Sequence, residues 1–255
     1  MDALAVVLKR ERVVVGAGLA LVTALAWWSV IGGARQMDGL VMQMAELDPT
    51  AWSARALLPL FLMWVIMMVA MMLPSAAPMI LTFAAVARYR RQHQRAYVPV
   101  TVFAAGYVAV WGGFSVLAAL VQWRLHRAAL LSPMMASSSA WLGGVLLFSA
   151  GVFQFTPLKQ RCLTHCRAPL EFITTRWREG RAGAFAMGIE HGLFCAGCCW
   201  ALMALLFVLG VMNLLWIAAL TILVGVEKML PGQIWVSRLS GLLLTGWAAW
   251  VLARV

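Results

Sequence analysis

The sequence predicts an all-α fold, a polytopic transmembrane helical bundle of about seven spans. Of the 255 residues, 64% are hydrophobic and only 11% are charged, whereas a soluble domain would be near half apolar and a quarter charged. Seven apolar segments are long enough to be considered as spans of about 20 residues. These segments form a single integral membrane domain over residues 1–255. They lie at approximately 13–31, 57–87, 97–122, 140–155, 184–209, 214–230 and 239–252.

The distribution of basic residues predicts the orientation of the bundle. With the N-terminus inside the cell, the inner segments contain 15 of the 20 lysines and arginines, as the positive-inside rule requires. This bias predicts an N-in, C-out arrangement in the cytoplasmic membrane, with 156–183 as a polar cytoplasmic loop. The net charge of +11 is then a property of the inner loops. We therefore expect the lipid bilayer, and not nucleic acid, as the partner of these residues.

The fifth predicted span contains the strongest candidate chemistry, in the stretch MGIEHGLFCAGCCWALM at 187–203. Imidazole and thiolate bind zinc, copper and iron, and thiolate favours Cu(I) and Zn(II). The rise from His191 to Cys199 is about 12 Å, so one helix cannot supply a whole site. Small core cysteines in a packed helix are the alternative interpretation. Four side chains fall within an arc of roughly 100° on this helix: His191, Cys195, Cys198 and Cys199.

The second predicted span offers ligands of the same soft type. Thioethers select Cu(I) over Zn(II), although methionines are also good packing residues. We predict an intramembrane site shared by the second and fifth spans, with Met67 and Met68 near the depth of Cys195. Pro74 and Pro78 are expected to kink or break the second span. The methionines that share one half of the helix circumference include Met67, Met68, Met71 and Met72.

The predicted cytoplasmic loop contains a second, weaker metal-binding pattern. Cys162, His165 and Cys166 form the sequence C-x2-H-C, and the two cysteines are one helical turn apart. By spacing this is half of a metal site. It predicts a site below the fifth span that donates the metal to that span or accepts the metal from it. The alternative is a solvent-exposed pair of cysteines without a role.

Three ionisable residues lie inside or close to the ends of the predicted spans, where charge is costly. We interpret them as a proton or ion relay, or as a structural pair between Glu190 and either Lys228 or a loop arginine. Snorkelling of the charged groups to the membrane interface is the alternative. The three residues are Glu190, Glu227 and Lys228.

Several of these segments together resemble a bacterial family known as domain of unknown function 2182, which is described as predicted metal-binding integral membrane proteins. The resemblance covers about 57–232, and the block HGLFCAGCCW is its most specific part. It implies a bacterial inner-membrane protein with a metal role. The ligands that it implies are His191, Cys195, Cys198, Cys199, Cys162 and Cys166, with Met67, Met68, Met71 and Met72 as companions.

The leading functional hypothesis is a membrane protein that handles Cu(I), with Zn(II) as the second metal, for transport, delivery or metallation of a partner. A cytoplasmic metallochaperone or a membrane metalloenzyme is the expected partner. One alternative is a membrane thiol–disulfide redox enzyme that uses Cys195 with Cys198 or Cys199. Another is an assembly subunit with a structural zinc or haem. No catalytic residue is predicted, since neither a Walker A nor a G-x-S-x-G motif occurs.

Overall fold

The computed structural model of the chain describes residues 2–44, 57–93, 98–128, 130–131, 139–230 and 234–254. For residues 2–12 and 37–44 it describes the backbone alone. The described residues are helical and contain no β-strand, so the all-α prediction is confirmed for them. The helices are α1 (Asp2–Met44), α2 (Leu57–Gln92), α3 (Val100–Arg127), α4 (Ala140–Phe153), α5 (Pro157–Arg167), α6 (Pro169–Thr175), α7 (Gly180–Ala204), α8 (Leu206–Leu209), α9 (Leu214–Met229) and α10 (Ile234–Leu252).

Among the described residues, four stretches of helix are long and apolar enough to cross a membrane. A fifth span is formed if α4 and α5, which meet at a 63° bend, count as one. Seven spans were predicted, and α9 shows one reason for the difference. Its 16 residues rise about 24 Å, which is less than the roughly 30 Å of a bilayer core. The four stretches are Val13–Gln36, Leu57–Gln92, Val100–Arg127 and Gly180–Leu209.

The helices α3 and α7 pack closely because glycines face each other across their interface. A Cβ atom added at Gly106 would overlap the carbonyl oxygen of Phe185, and one added at Gly188 would overlap that of Phe103. Small residues allow helix backbones to approach in this way. The close approach brings Tyr107 of α3 next to the cysteine-bearing face of α7.

The helix α2 continues past Pro74 and Pro78, where a kink or break was predicted. Since proline has no N–H, Pro74 leaves the carbonyl of Ala70 without its helical donor. The indole Nε1 of Trp27 in α1 donates to that carbonyl at 3.0 Å. A neighbouring helix therefore satisfies the group that the proline frees. The helix α3 packs against both α2 and α7.

The segment 156–183, predicted as a polar loop, contains the helices α5 and α6. Thr156 caps α5 by accepting a hydrogen bond from the N–H of Lys159, and Pro157 occupies the first turn, as is common at helix starts. The helix α5 packs against α7 and α9. The cysteines of this segment are thus part of the bundle.

Candidate metal centre

Two cysteines of α7 and one methionine of α2 form a buried sulfur cluster. Cys195, Cys199 and Met72 are each at most 1% exposed. The Sγ atom of Cys199 lies 3.9 Å from the Sδ atom of Met72. Thiol and thioether sulfur from two separate helices therefore meet at one place in the interior.

The ammonium group of Lys228, on α9, lies in the middle of this cluster. Its Nζ atom is 2.9 Å from Sγ of Cys195 and 3.9 Å from both Sγ of Cys199 and Sδ of Met72. It also contacts Oγ of Ser75 at 3.3 Å. Lys228 is 6% exposed, and a buried charge is costly unless it is paired. The sulfur atoms and the hydroxyl are the groups that compensate it.

Tyr107 links the cluster to α3. Its hydroxyl donates to the backbone carbonyl of Met72 at 3.1 Å and lies 3.1 Å from Sγ of Cys195. A buried tyrosine hydroxyl normally finds such a partner. The phenol therefore holds a cluster residue of α2 and a cluster residue of α7 in fixed relation.

His191 lies one helical turn before Cys195 and is buried among aromatic rings. Its ring centroid is 5.6 Å from that of Tyr107, 5.8 Å from Phe172 and 6.2 Å from Phe103. Among the described residues, no group hydrogen-bonds to its Nδ1 atom. A buried polar atom without a partner is costly, and an imidazole nitrogen in this state is available to a ligand. The Nδ1 atom of His191 is therefore a candidate ligand for a metal ion.

The remaining cysteines continue the cluster toward α5. The thiols of Cys198 and Cys199 both donate to the carbonyl of Cys195, at 3.1 and 3.0 Å. The side chain of Cys198 also lies near that of Cys166. Cys162 lies over Gly197, where an added Cβ would be 2.8 Å from its Sγ atom. All five cysteines are free thiols.

Other candidates from the sequence lie apart from the sulfur cluster. His165 stacks on Phe194 with ring centroids 4.2 Å apart, and its Nδ1 contacts the carbonyl of Arg161. Met72 is the methionine whose sulfur contacts Cys199. That Met67 and Met68 lie near the depth of Cys195 stays a prediction. The three other methionines of the predicted stripe are buried in the hydrophobic core: Met67, Met68 and Met71.

The two glutamates of the predicted relay are held in ion pairs. Glu190 pairs with Arg176 and with Arg178, so its partners are loop arginines and not Lys228. Glu227 pairs with Lys159 at 2.7 Å. Serine and arginine side chains add to this second pair: Ser237 donates to the Glu227 carboxylate at 2.9 Å, and Arg167 donates to the Glu227 carbonyl at 2.7 Å.

The cluster is not a preformed metal site built from His, Cys, Asp and Glu side chains alone. Within the described ranges, no three His, Cys, Asp or Glu side chains are grouped so that they could hold a metal ion. A site at this place therefore depends on the thioether of Met72. Sequence reasoning missed Tyr107 and Ser75 as neighbours of the cluster, although a tyrosine in the middle of an apolar span is a usable signal.

Comparison with known families bears on the metal that the protein handles. Residues 61–251 match the family model PpoB2, which is described as a copper chaperone. The chain belongs to the PpoB2 copper chaperone family. No curated protein and no solved structure matches the chain.

Membership of the PpoB2 family supports a copper-handling role and interaction with copper-handling partners. It gives no support to zinc, the second metal considered from the sequence. The match runs from α2 to α10, so it includes every residue of the sulfur cluster. The PpoB2 region also covers the four helices that contribute to the cluster, α2 from residue 61 onward and the whole of α3, α7 and α9, together with most of the candidate spans.

Proposed function

We propose that the chain is a membrane-embedded copper chaperone that binds Cu(I) between Cys195, Cys199 and Met72 and delivers it to a partner protein. The observation that carries the proposal is the meeting of these three sulfur atoms around one buried point. Soft thiolate and thioether ligands select Cu(I). The oxidation state is inferred from this chemistry, and the copper itself is supported by the PpoB2 match.

His191 is proposed as an additional ligand that a side-chain movement brings to the site, since the described structure does not group it with Cys195 and Cys199 closely enough to hold an ion. Its Nδ1 atom is buried and has no hydrogen-bond partner among the described residues. Since His191 and Cys195 are one helical turn apart, they face the same neighbours. Metal binding would satisfy the nitrogen and remove the cost of leaving it unpaired.

The cysteines between α7 and α5 are proposed as the delivery route. Cys198 lies near Cys166, and both Cys162 and Cys166 are partly exposed. In each step an incoming sulfur forms a bond to copper, and the sulfur that held it is released. The incoming thiol loses its proton and the released thiolate takes one up, so the net charge of these cysteines with their copper ion is unchanged. The acceptor is a cytoplasmic metallochaperone or a membrane metalloenzyme.

The placement in the membrane is part of the proposal. We infer a bacterial inner-membrane protein with about seven spans and an N-in, C-out orientation. The four or five candidate spans and the bias of basic residues support it. Reporter fusions after Arg95 and after Arg254 test the orientation. A cytoplasmic signal from the second fusion would contradict it.

Cu(I) binding to the purified protein tests the site. The double variant C195S/C199S should lose the tightest site, because two of the three sulfur ligands are removed. Met72→Leu should weaken it, whereas Met79→Leu, a buried change on the same helix, is the matched control. Cu(I) binding that is unchanged in C195S/C199S would contradict the assignment of the site.

The thiol–disulfide redox alternative is not favoured. Cys195 and Cys198 form a C-x-x-C sequence, but Cys195 faces Lys228 and Tyr107 whereas Cys198 lies near Cys166. A methionine has no role in thiol exchange, and the PpoB2 family is described by copper. Thiol trapping separates the two, since a disulfide that forms and reopens in the isolated protein would favour the enzyme.

A further inference from the structure

A positive charge lies inside the proposed copper site, and this charge has a consequence for metal selection. The Nζ atom of Lys228 contacts all three sulfur atoms of the site. A metal ion that binds these sulfurs must take the place of the ammonium. Because Lys228 is anchored in α9, its ammonium can withdraw only as far as its four-carbon stem allows. Ser75, at 3.3 Å, offers it an alternative partner.

The net charge of the loaded site depends on the ion. Metal binding requires deprotonated cysteines, so Cys195 and Cys199 contribute two negative charges. With a monovalent ion and the Lys228 ammonium, the site is neutral. With a divalent ion it keeps one positive charge without a partner, which is costly in a buried place.

We propose that Lys228 makes the site select a monovalent soft ion over divalent ions. The inference rests on the proposed function, since it assumes that Cys195, Cys199 and Met72 bind the ion. At separations of about 4–6 Å, a second unit charge on the ion adds a repulsion equivalent to roughly a hundredfold to a thousandfold in binding constant. The lysine therefore acts as a specificity-determining residue that is not itself a ligand.

Competition between Zn(II) and Ag(I), a redox-stable monovalent ion, tests this inference on the purified full chain. In K228M the ratio of Zn(II) to Ag(I) affinity should rise by about a hundredfold, and K228Q should behave alike. K228R keeps the charge and should keep the wild-type ratio. Tyr107→Phe is the matched control, because it removes a neutral contact to the same Cys195 sulfur and should shift both affinities together.

The outcomes separate this inference from the proposed function. If the C195S/C199S variant bound Ag(I) as tightly as the wild type, the site itself would be contradicted. An unchanged ratio in K228M, or a K228R variant that behaves like K228M, would contradict only the role of Lys228. If the neutral variants do not fold, NMR of the ¹⁵N-lysine-labelled wild type provides the test. The chain has three lysines, so the spectrum contains few signals. The Lys228 signal should shift when Ag(I) is bound, and an unchanged signal would overturn the inference.

Discussion

The sulfur atoms of Cys199 and Met72 are 3.9 Å apart, although the two residues are separated by 127 positions in the chain. Each belongs to a long apolar helix, and α3 packs against both helices. The Tyr107 hydroxyl, which contacts both the Met72 carbonyl and the Cys195 thiol, fixes this arrangement. The proposed copper site therefore reports on the relative position of α2 and α7.

The first prediction concerns the coupling of these two sulfurs. Cys199→Ser and Met72→Leu should each lower Cu(I) affinity by about tenfold, or about 1.4 kcal/mol. Because both residues hold one ion, the double variant should lose less than the sum. A double-mutant cycle of Cu(I) affinities measures the coupling. Strict additivity would indicate that the two sulfurs do not share an ion.

The second prediction concerns the ion pair between Lys159 and Glu227, whose side chains are 0% and 2% exposed. Glu227→Gln leaves a buried ammonium without its counter-ion, so it should lower the free energy of unfolding by about 3–5 kcal/mol. The exposed pair of Arg90 and Glu179 is the matched control. Glu179→Gln should cost less than about 1 kcal/mol. Chemical unfolding in detergent measures both, and equal losses would contradict the assigned difference.

The third prediction concerns the glycine contact between α3 and α7. Gly106→Ala would place a methyl group against a backbone carbonyl of α7. It should destabilise the fold by about 1–3 kcal/mol and move Tyr107 away from Cys195, which weakens copper binding. Gly113 lies on the same helix with no atom within 4 Å of an added Cβ. Gly113→Ala should leave the stability unchanged or raise it by up to about 1 kcal/mol.

The fourth prediction separates binding from delivery. Gly197→Ala would place a methyl group 2.8 Å from the present position of the Cys162 sulfur. The flexible cysteine side chain can shift, so we expect the stability and the Cu(I) affinity of the α7 site to be kept. The rate of copper release to a competing chelator should change. Gly225→Ala, which meets no atom within 4 Å, should leave both affinity and rate as they are.

The sequence predicts the helical class, because that class depends on composition and on helical periodicity alone. The same periodicity puts His191 and three cysteines on one face of α7, and their role as metal ligands stays a prediction. Periodicity gives the face of a helix but not its position against a neighbour, so it could not single out the contact of Met72 with Cys199 from the other methionines of α2. The contacts of Lys228 and Tyr107 come from two further helices, and no local pattern encodes such pairings. The short, basic helix α5 resembles a loop in composition and is stabilised by its contacts with α7 and α9.

Glu227 and Lys228 are consecutive residues of α9, yet each contacts different neighbours. The carboxylate contacts Lys159 of α5 and the ammonium contacts the cysteines of α7. A shift of α9 by one residue would rotate its side chains by about 100°. That single step would remove the counter-ion of Lys159 and the cation of the sulfur cluster at once. The register of this helix turn therefore determines the partners of two buried charges, and we expect an insertion or deletion in α9 before Glu227 to disrupt both.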